Sequence, residues 1–157
     1  MINIKKISIV IFLFLQSCME PDTEKLWDIS IENIFETKGF ARSVIVEGSR
    51  AYVAAGQSGT QIWDLEENTL LKDFTGYEEG GTFLEFQDLA LIGRDPVNSL
   101  LFLSESNQDV KIFHLDETDS LIYRNTIMSA RTKDFVSFPS IQDQFVMYSA
   151  DNDDGLK

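Results

Sequence analysis

The 157-residue chain holds one cysteine and one histidine. A single thiol excludes an intrachain disulfide framework, and one Cys with one His cannot supply a Cys/His zinc site. Basic residues are scarce as well: 13 Lys and Arg stand against 26 Asp and Glu, a formal net charge of −13. Such a chain repels phosphate backbones, so a nucleic-acid partner is excluded. The glycines of Gly80-Gly81 and of Gly56-x-x-Gly59 lack the strand-to-helix context of a nucleotide site, and they read as turn glycines. Neither a nucleophile elbow nor a paired-carboxylate spacing is present. No catalytic residue, metal or cofactor is therefore expected. What remains, 43% hydrophobic and 25% charged residues, suits one ordinary domain or a piece of one.

The N-terminus carries an address. Lys5 and Lys6 precede an apolar run from Ile7 to Leu15, too short for a spanning helix of about 20 residues but the right length for a secretory segment. A signal helix over residues 1 to 17 is expected. It ends Leu15-Gln16-Ser17-Cys18, which resembles the lipobox of bacterial lipoproteins, although Gln16 stands where that family prefers a small residue. The resemblance implies that Cys18 is diacylglycerated, becomes the first residue after cleavage and anchors the protein to a lipid bilayer. Each buried CH₂ contributes about 0.8 kcal/mol, so two or three acyl chains hold without a spanning helix. Residues 1 to 17 hold two Lys and no acid, which leaves 11 basic against 26 acidic residues, net −15, in the mature chain. Residues 18 to 38 read as a polar tether.

The rest of the chain repeats. Arg50 to Leu65, Asn98 to Leu115 and Gln144 to Lys157 lie under one another, with Gln61, Lys111 and Lys157 equivalent at spacings of 50 and 46 residues. Ahead of each lies a short apolar run: Val44-Ile45-Val46, Leu89 to Ile92, and Phe135 to Phe138. Behind the first two lies another, Leu70 to Phe74 and Leu121 to Tyr123. The runs are short, β-branched and aromatic, and bounded by Gly48-Ser49, Gln57-Ser58-Gly59, Asp95-Pro96 and Asn107-Gln108-Asp109, so they read as strands and turns. No sustained helical stripe competes.

Four antiparallel strands per unit of about 40 to 50 residues are the pattern of a β-propeller blade. The fold expected is all-β, a partial β-propeller of four-stranded antiparallel blades behind the signal helix. Blade 1 is placed at residues 39–81, blade 2 at 82–129 and an incomplete blade 3 at 130–157. The inner strands should be covered on both faces. Packing between units is assigned to Val44, Val46, Tyr52, Val53, Ile62, Trp63, Leu91, Phe102, Ile112, Phe113, Phe135 and Val146.

The stretch Ala51-Tyr52-Val53-Ala54 through Gln61-Ile62-Trp63-Asp64-Leu65, after Ser43-Val44-Ile45-Val46, is similar to the LVIVD repeat of bacterial surface propellers. The second unit, 89 to 115, keeps less of it: its turn glycines are replaced by Asn107, Gln108 and Asp109, and Trp63-Asp64 becomes Phe113-His114. Leu26-Trp27-Asp28-Ile29 echoes Ile62 to Leu65, which makes residues 26 to 36 candidates for outer strands of a further blade.

The conspicuous side chains have plain explanations. Trp27, Tyr52, Trp63 and Phe113 recur at repeat positions and read as inter-blade packing rather than a stacking site. His114, standing in the place of Asp64, is assigned a strand-end hydrogen bond to a neighbouring turn. Asp116, Glu117, Thr118 and Asp119 read as a solvated turn between outer strands. Asp151 to Gly155 gathers hard oxygen ligands but departs from the EF-hand loop, with glycine too early and no downstream Glu.

Three functions fit this pattern. The favoured one is a lipid-anchored module at the bacterial cell envelope, periplasmic or at the cell surface, that binds a protein or polysaccharide partner. The others are a propeller hydrolase or lyase acting on glycans, with its carboxylates on blades outside this chain, and an envelope-assembly scaffold. Because Gly155-Leu156-Lys157 aligns with the start of a third strand, the chain is expected to be incomplete, continuing with an aliphatic and an aromatic residue; rings built from several short chains are the alternative.

Overall fold

Alternation of apolar and polar residues in runs of four to seven, punctuated by turn formers, makes strands throughout. The computed structural model describes residues 31, 33–128, 131–138, 144, 146–151 and 155–156, and among them there is no helix. Residues 35 to 157 form one compact unit. The expected signal helix, the lipobox residues Leu15, Gln16, Ser17 and Cys18, and Trp27 lie outside the described residues.

Strands β1 (Ser43–Glu47), β2 (Arg50–Ala54), β3 (Thr60–Asp64) and β4 (Thr69–Phe74) form a four-stranded antiparallel meander in sequence order. A hairpin of β5 (Gly76–Glu79) and β6 (Thr82–Glu85) follows. Strands β7 (Leu89–Asp95), β8 (Leu100–Glu105), β9 (Val110–Leu115) and β10 (Leu121–Ile127) make a second meander of the same kind. Strands β11 (Thr132–Phe138), β12 (Val146–Asp151) and β13 (Gly155–Leu156) make a third sheet. The strand runs expected in the three units therefore appear, and the two complete sheets have four strands each.

The hairpin β5–β6 is not part of that expectation. The boundary drawn between residues 81 and 82 falls on its turn, where Gly80 and Gly81 have φ of +59° and +82°. Two successive positive values fit the mirror-image turn that matches strand twist, so this Gly-Gly closes a hairpin instead of linking two sheets. Residues 33–36, candidates for outer strands, carry no ladder pairing; Phe35 contributes a side chain, its ring edge-on to Trp63 at 5.6 Å.

Turn chemistry changes between units while the turn survives. In the first unit Gly59 has φ +80° and an added Cβ would stand 1.9 Å from the Phe74 carbonyl oxygen, so only glycine fits. In the second, Asn107 takes the left-handed position at φ +57°, as its short polar side chain allows. Asp64 accepts the amides of Glu66 and Glu67 at 2.9 Å each. In the second unit that capping belongs to Asp116, whose carboxylate accepts Thr118 N and Ser120 N at 2.8 Å each. These bonds, the Ser120 amide first, hold the Asp116 carboxyl below its ordinary value, and the nearby His114 adds a little. Asp116 to Asp119 is thus the exposed turn between β9 and β10, and its cap comes from Asp116 rather than His114.

The core lies between sheets. Tyr52 and Ile62 on one face of the first sheet meet Leu89, Ile92, Leu101, Leu103, Phe113 and Leu115 on the facing side of the second. The other side of the second sheet, Phe102, Val110 and Ile112, takes Phe135 and Met147 of the third. Each such aliphatic or aromatic side chain contributes about 1.5–3 kcal/mol on full burial.

Several assigned packing residues sit elsewhere. Val44 and Val46 are 58% and 60% exposed, because β1 is covered on one face only and that face carries Ile45. Val146 is 48% exposed on the open side of β12, while its neighbour Met147 points inward. A register shift between Leu89 and Leu91 turns Leu89 and Ile92 into the core and leaves Leu91 half-buried. Val53 is buried on the first sheet's other face and Trp63 half-buried there.

The hairpin delivers Tyr77 into the first interface. Its ring lies 5.2 Å from Phe113, edge-on at 79°, and 5.5 and 5.3 Å from Phe86 and Tyr123, contacts of about 0.5–1.5 kcal/mol beyond area burial. Burial, with smaller contributions from Glu79, Tyr123 and Glu105, pushes the Tyr77 phenol from 10.0 up to about 12. The folded state thus binds this proton more tightly than the unfolded chain. The contribution is whole below pH 10 and is lost as pH climbs from 10 to about 12. Urea midpoints measured across that window should fall for the wild type, and Tyr77→Phe should fall less; equal declines would contradict the assignment.

Candidate functional site

The first strands of the three sheets lie side by side, β1 against β7 and β7 against β11. Where these strands end, a cavity of about 300 Å³ opens among Ile45, Glu47, Arg94, Pro96, Phe135 and Ser137. It is the place where side chains from all three units converge.

Arg94 organises this mouth. Its Nε donates to Glu47 Oε2 at 2.9 Å across the gap between sheets, and its Nη1 donates to the Asp95 and Leu100 carbonyls at 3.1 and 3.0 Å. The guanidinium also stacks 5.4 Å above the Tyr52 ring, a cation–π contact. With only 10% of its side chain exposed, it is a clamp between the first two sheets. The third sheet joins through Ser137, whose hydroxyl donates to the Arg94 carbonyl at 3.0 Å. Asn98 donates to the Gln144 carbonyl at 2.8 Å. Asn98 is itself held by the fully buried Asp95, whose carboxylate accepts the Val97 and Asn98 amides and the Asn98 side chain.

Gly93 shows why the mouth has its shape. A Cβ there would stand 2.4 Å from the Phe135 ring, so the missing side chain is what seats the third sheet's aromatic against the second.

At the other end of these strands the contacts are again between units. Arg42 and Asp88 pair at 2.8 Å, and Asp88 also accepts the Ser106 hydroxyl at 2.8 Å. Gly56 and Leu89 exchange backbone hydrogen bonds at 3.1 and 3.0 Å. A second cavity, about 280 Å³, lies here among Gly39, Phe40, Arg42, Gly56, Ser58 and Asp88. Behind it Glu105, only 7% exposed, accepts the Gln87 and Asp88 amides and pairs with Lys111 at 3.0 Å. Lys111 lies 6.0 Å from the Tyr77 ring centroid. Its equivalent Gln61 donates to the Lys38 carbonyl at 3.2 Å, so this repeat position reaches a segment outside the sheet directly in the first unit and only through Glu105 in the second.

Chemically, both mouths present charges already committed to partners. Arg94, Glu47, Arg42 and Asp88 can orient a ligand at their free edges; none is poised as a nucleophile or as half of an acid–base pair. Among the described residues no three Asp, Glu, His or Cys side chains gather as for a metal ion. Asn152, Asp153 and Asp154 of the acidic stretch lie outside the described residues, while Asp151 is buried at the end of β12. Of the residues singled out in the sequence, Val46 and Phe135 line the first mouth, and Tyr52 lies beneath Arg94. The charged residues Glu47 and Arg94 were not singled out in the sequence; the hint there is an Arg near the end of an otherwise apolar first strand.

Removing the clamp has a predicted cost. In R94M, Glu47 and two carbonyls lose their donor, which should lower stability in urea by about 1–3 kcal/mol. Arg94→Lys should recover only part, since an ammonium cannot fork to three acceptors in this geometry. Wild-type stability in R94M would refute the clamp.

No family model matches the chain. A stretch of 100 residues, 64% of the chain, is 23% identical to the probable malate:quinone oxidoreductase of Xylella fastidiosa (strain 9a5c). The chain matches 17% of that protein's length, so the similarity reaches a small part of it and transfers no activity.

Proposed function

We propose that this chain belongs to a lipid-anchored, exported β-propeller of the LVIVD-repeat kind that works by binding at the bacterial cell envelope. The observation that carries the reading is the side-by-side placement of β1, β7 and β11, with each four-stranded meander packed on the next. Successive sheets stacked face to face around their first strands are how a propeller encloses its channel. The mouth at Glu47, Arg94 and Ser137 then stands at one end of that channel, and a protein or polysaccharide is its ligand. Partnered charges beside apolar Ile45 and Phe135 suit a binding surface. Acylated Cys18 holds the module on the bilayer, and the residues between it and Phe35, where the compact unit begins, serve as its tether.

The test is made in bacterial cells. Wild-type chain should incorporate labelled palmitate and sediment with membranes, and Cys18→Ser should do neither. A photo-crosslinking residue at exposed Pro96 should give one discrete adduct with an envelope component. Palmitate-free, soluble wild-type protein would overturn the anchor; absence of any adduct at Pro96 would overturn the mouth as the binding site.

A further inference from the structure

The hairpin β5–β6 is fixed at its base and open along one side. Tyr77 is buried against Phe113, and Phe86, just past β6, is 3% exposed. The Phe86 amide donates to the Thr75 carbonyl at 2.9 Å, and the next two amides, of Gln87 and Asp88, donate to the Glu105 carboxylate. Both legs therefore start from the packed region between the first two sheets, which are the two complete ones. The ladder from Gly76 and Glu85 to Glu79 and Thr82 runs without a register shift.

Backbone groups in an antiparallel ladder turn toward the partner strand at every second residue. Phe86 turns inward, so Leu84 and Thr82 do too, while Phe83 and Glu85 present their N–H and C=O away from β5. The Glu85 carbonyl receives the Gln87 side chain at 3.4 Å, as that parity requires. Among the described residues no strand pairs with this second side of β6. Proline, lysine and a bulge, the usual ways of blunting an edge, are all missing from Thr82 to Glu85.

The side chains add a charge pattern. A Cβ on Gly76 would stand 2.8 Å from the tip of the Phe83 ring, so the glycine lets the ring lie across the hairpin. Glu78 stands directly opposite Phe83, and Glu85 opposite Gly76. The ring, 55% exposed, is thus flanked by two carboxylates on one face, while Leu84, 38% exposed, lies on the other. Among the described residues no ion pair reaches Glu78, Glu79 or Glu85, whereas Glu47, Asp88 and Glu105 between the sheets are all paired.

We propose that the free side of β6 takes an extended segment of a partner protein, bearing arginine or lysine at alternate positions, as a third strand. Main-chain bonds from Phe83 and Glu85 supply the pairing, and side chains at alternate positions supply the choice of sequence. A basic side chain over the Phe83 ring meets both a π face and the Glu78 and Glu85 carboxylates. A second copy of this chain is disfavoured, since its own β6 would bring like carboxylates together and each copy carries a net charge of −13. The inference is independent of what the mouth at Arg94 binds.

Nuclear magnetic resonance of the ¹⁵N-labelled full chain tests it, with a short capped peptide alternating arginine and valine as the probe. Added peptide should slow exchange of the Phe83 and Glu85 amides and leave those of Thr82 and Leu84, already bonded to β5, unchanged. Binding should weaken as salt is raised. E78Q should weaken it at least threefold. Glu85→Pro removes an outward N–H and should weaken it at least tenfold; if that variant misfolds, the same peptide with N-methylated backbone amides should show the same loss against wild type. Peptide binding that leaves the Phe83 and Glu85 amides unprotected would overturn the proposal, because the contact would then be with acidic surface elsewhere. Equal binding of a peptide alternating glutamate and valine would overturn it too, as would concentration-dependent protection of these amides without peptide, which would assign the edge to a second copy.

Discussion

Everything in this molecule depends on sheets that carry apolar residues on both faces and must cover them with one another. A four-stranded meander with Tyr52 and Ile62 on one side cannot remain alone in water, because its exposed apolar area would cost more than its ladder bonds return. The second sheet solves this for the first and inherits the same problem on its far side, where Phe102 and Ile112 need Phe135 and Met147. Stability is thus carried by contacts between units, as in other repeat architectures. The polar clamps follow from the same constraint. Glu47 with Arg94, and Arg42 with Asp88, join neighbouring sheets at opposite ends of their first strands, which fixes how one sheet is set on the next.

Much of this order was legible in the residues. The recurrence at about 50 residues, the aromatic and β-branched runs and the turn formers predict both complete meanders strand by strand, and Asn107 stands in for the missing turn glycine as its chemistry allows. The hairpin β5–β6 escapes because its second strand, Thr82 to Glu85, is exposed along its whole length and carries no inward pattern. Tyr77 alone marks it. The assignment of Val44 and Val46 to packing takes the wrong parity, since three consecutive aliphatics do not say which side faces the core; packing chooses Ile45.

The mouth was harder to see. Glu47 and Arg94 are 47 residues apart, and neither spacing nor composition links them until the sheets are stacked. Gly93 similarly looks like an incidental glycine in a strand, while in space it is the seat of Phe135. A binding role suits a site assembled in this way from three units: its shape is set by inter-sheet packing, and changes in exposed residues at its rim can alter the ligand without disturbing the fold.

The central claim is that consecutive sheets are coupled face to face through equivalent positions, and the Phe102 and Phe135 rings, 6.4 Å apart at 71°, are its most direct reporter. A double-mutant cycle with Phe102→Leu and Phe135→Leu, measured by urea unfolding, should return a coupling of about 0.5–1.5 kcal/mol. Strict additivity of the two substitutions would contradict the packing of the third sheet on the second, and with it the repeat as the organising interface of this protein.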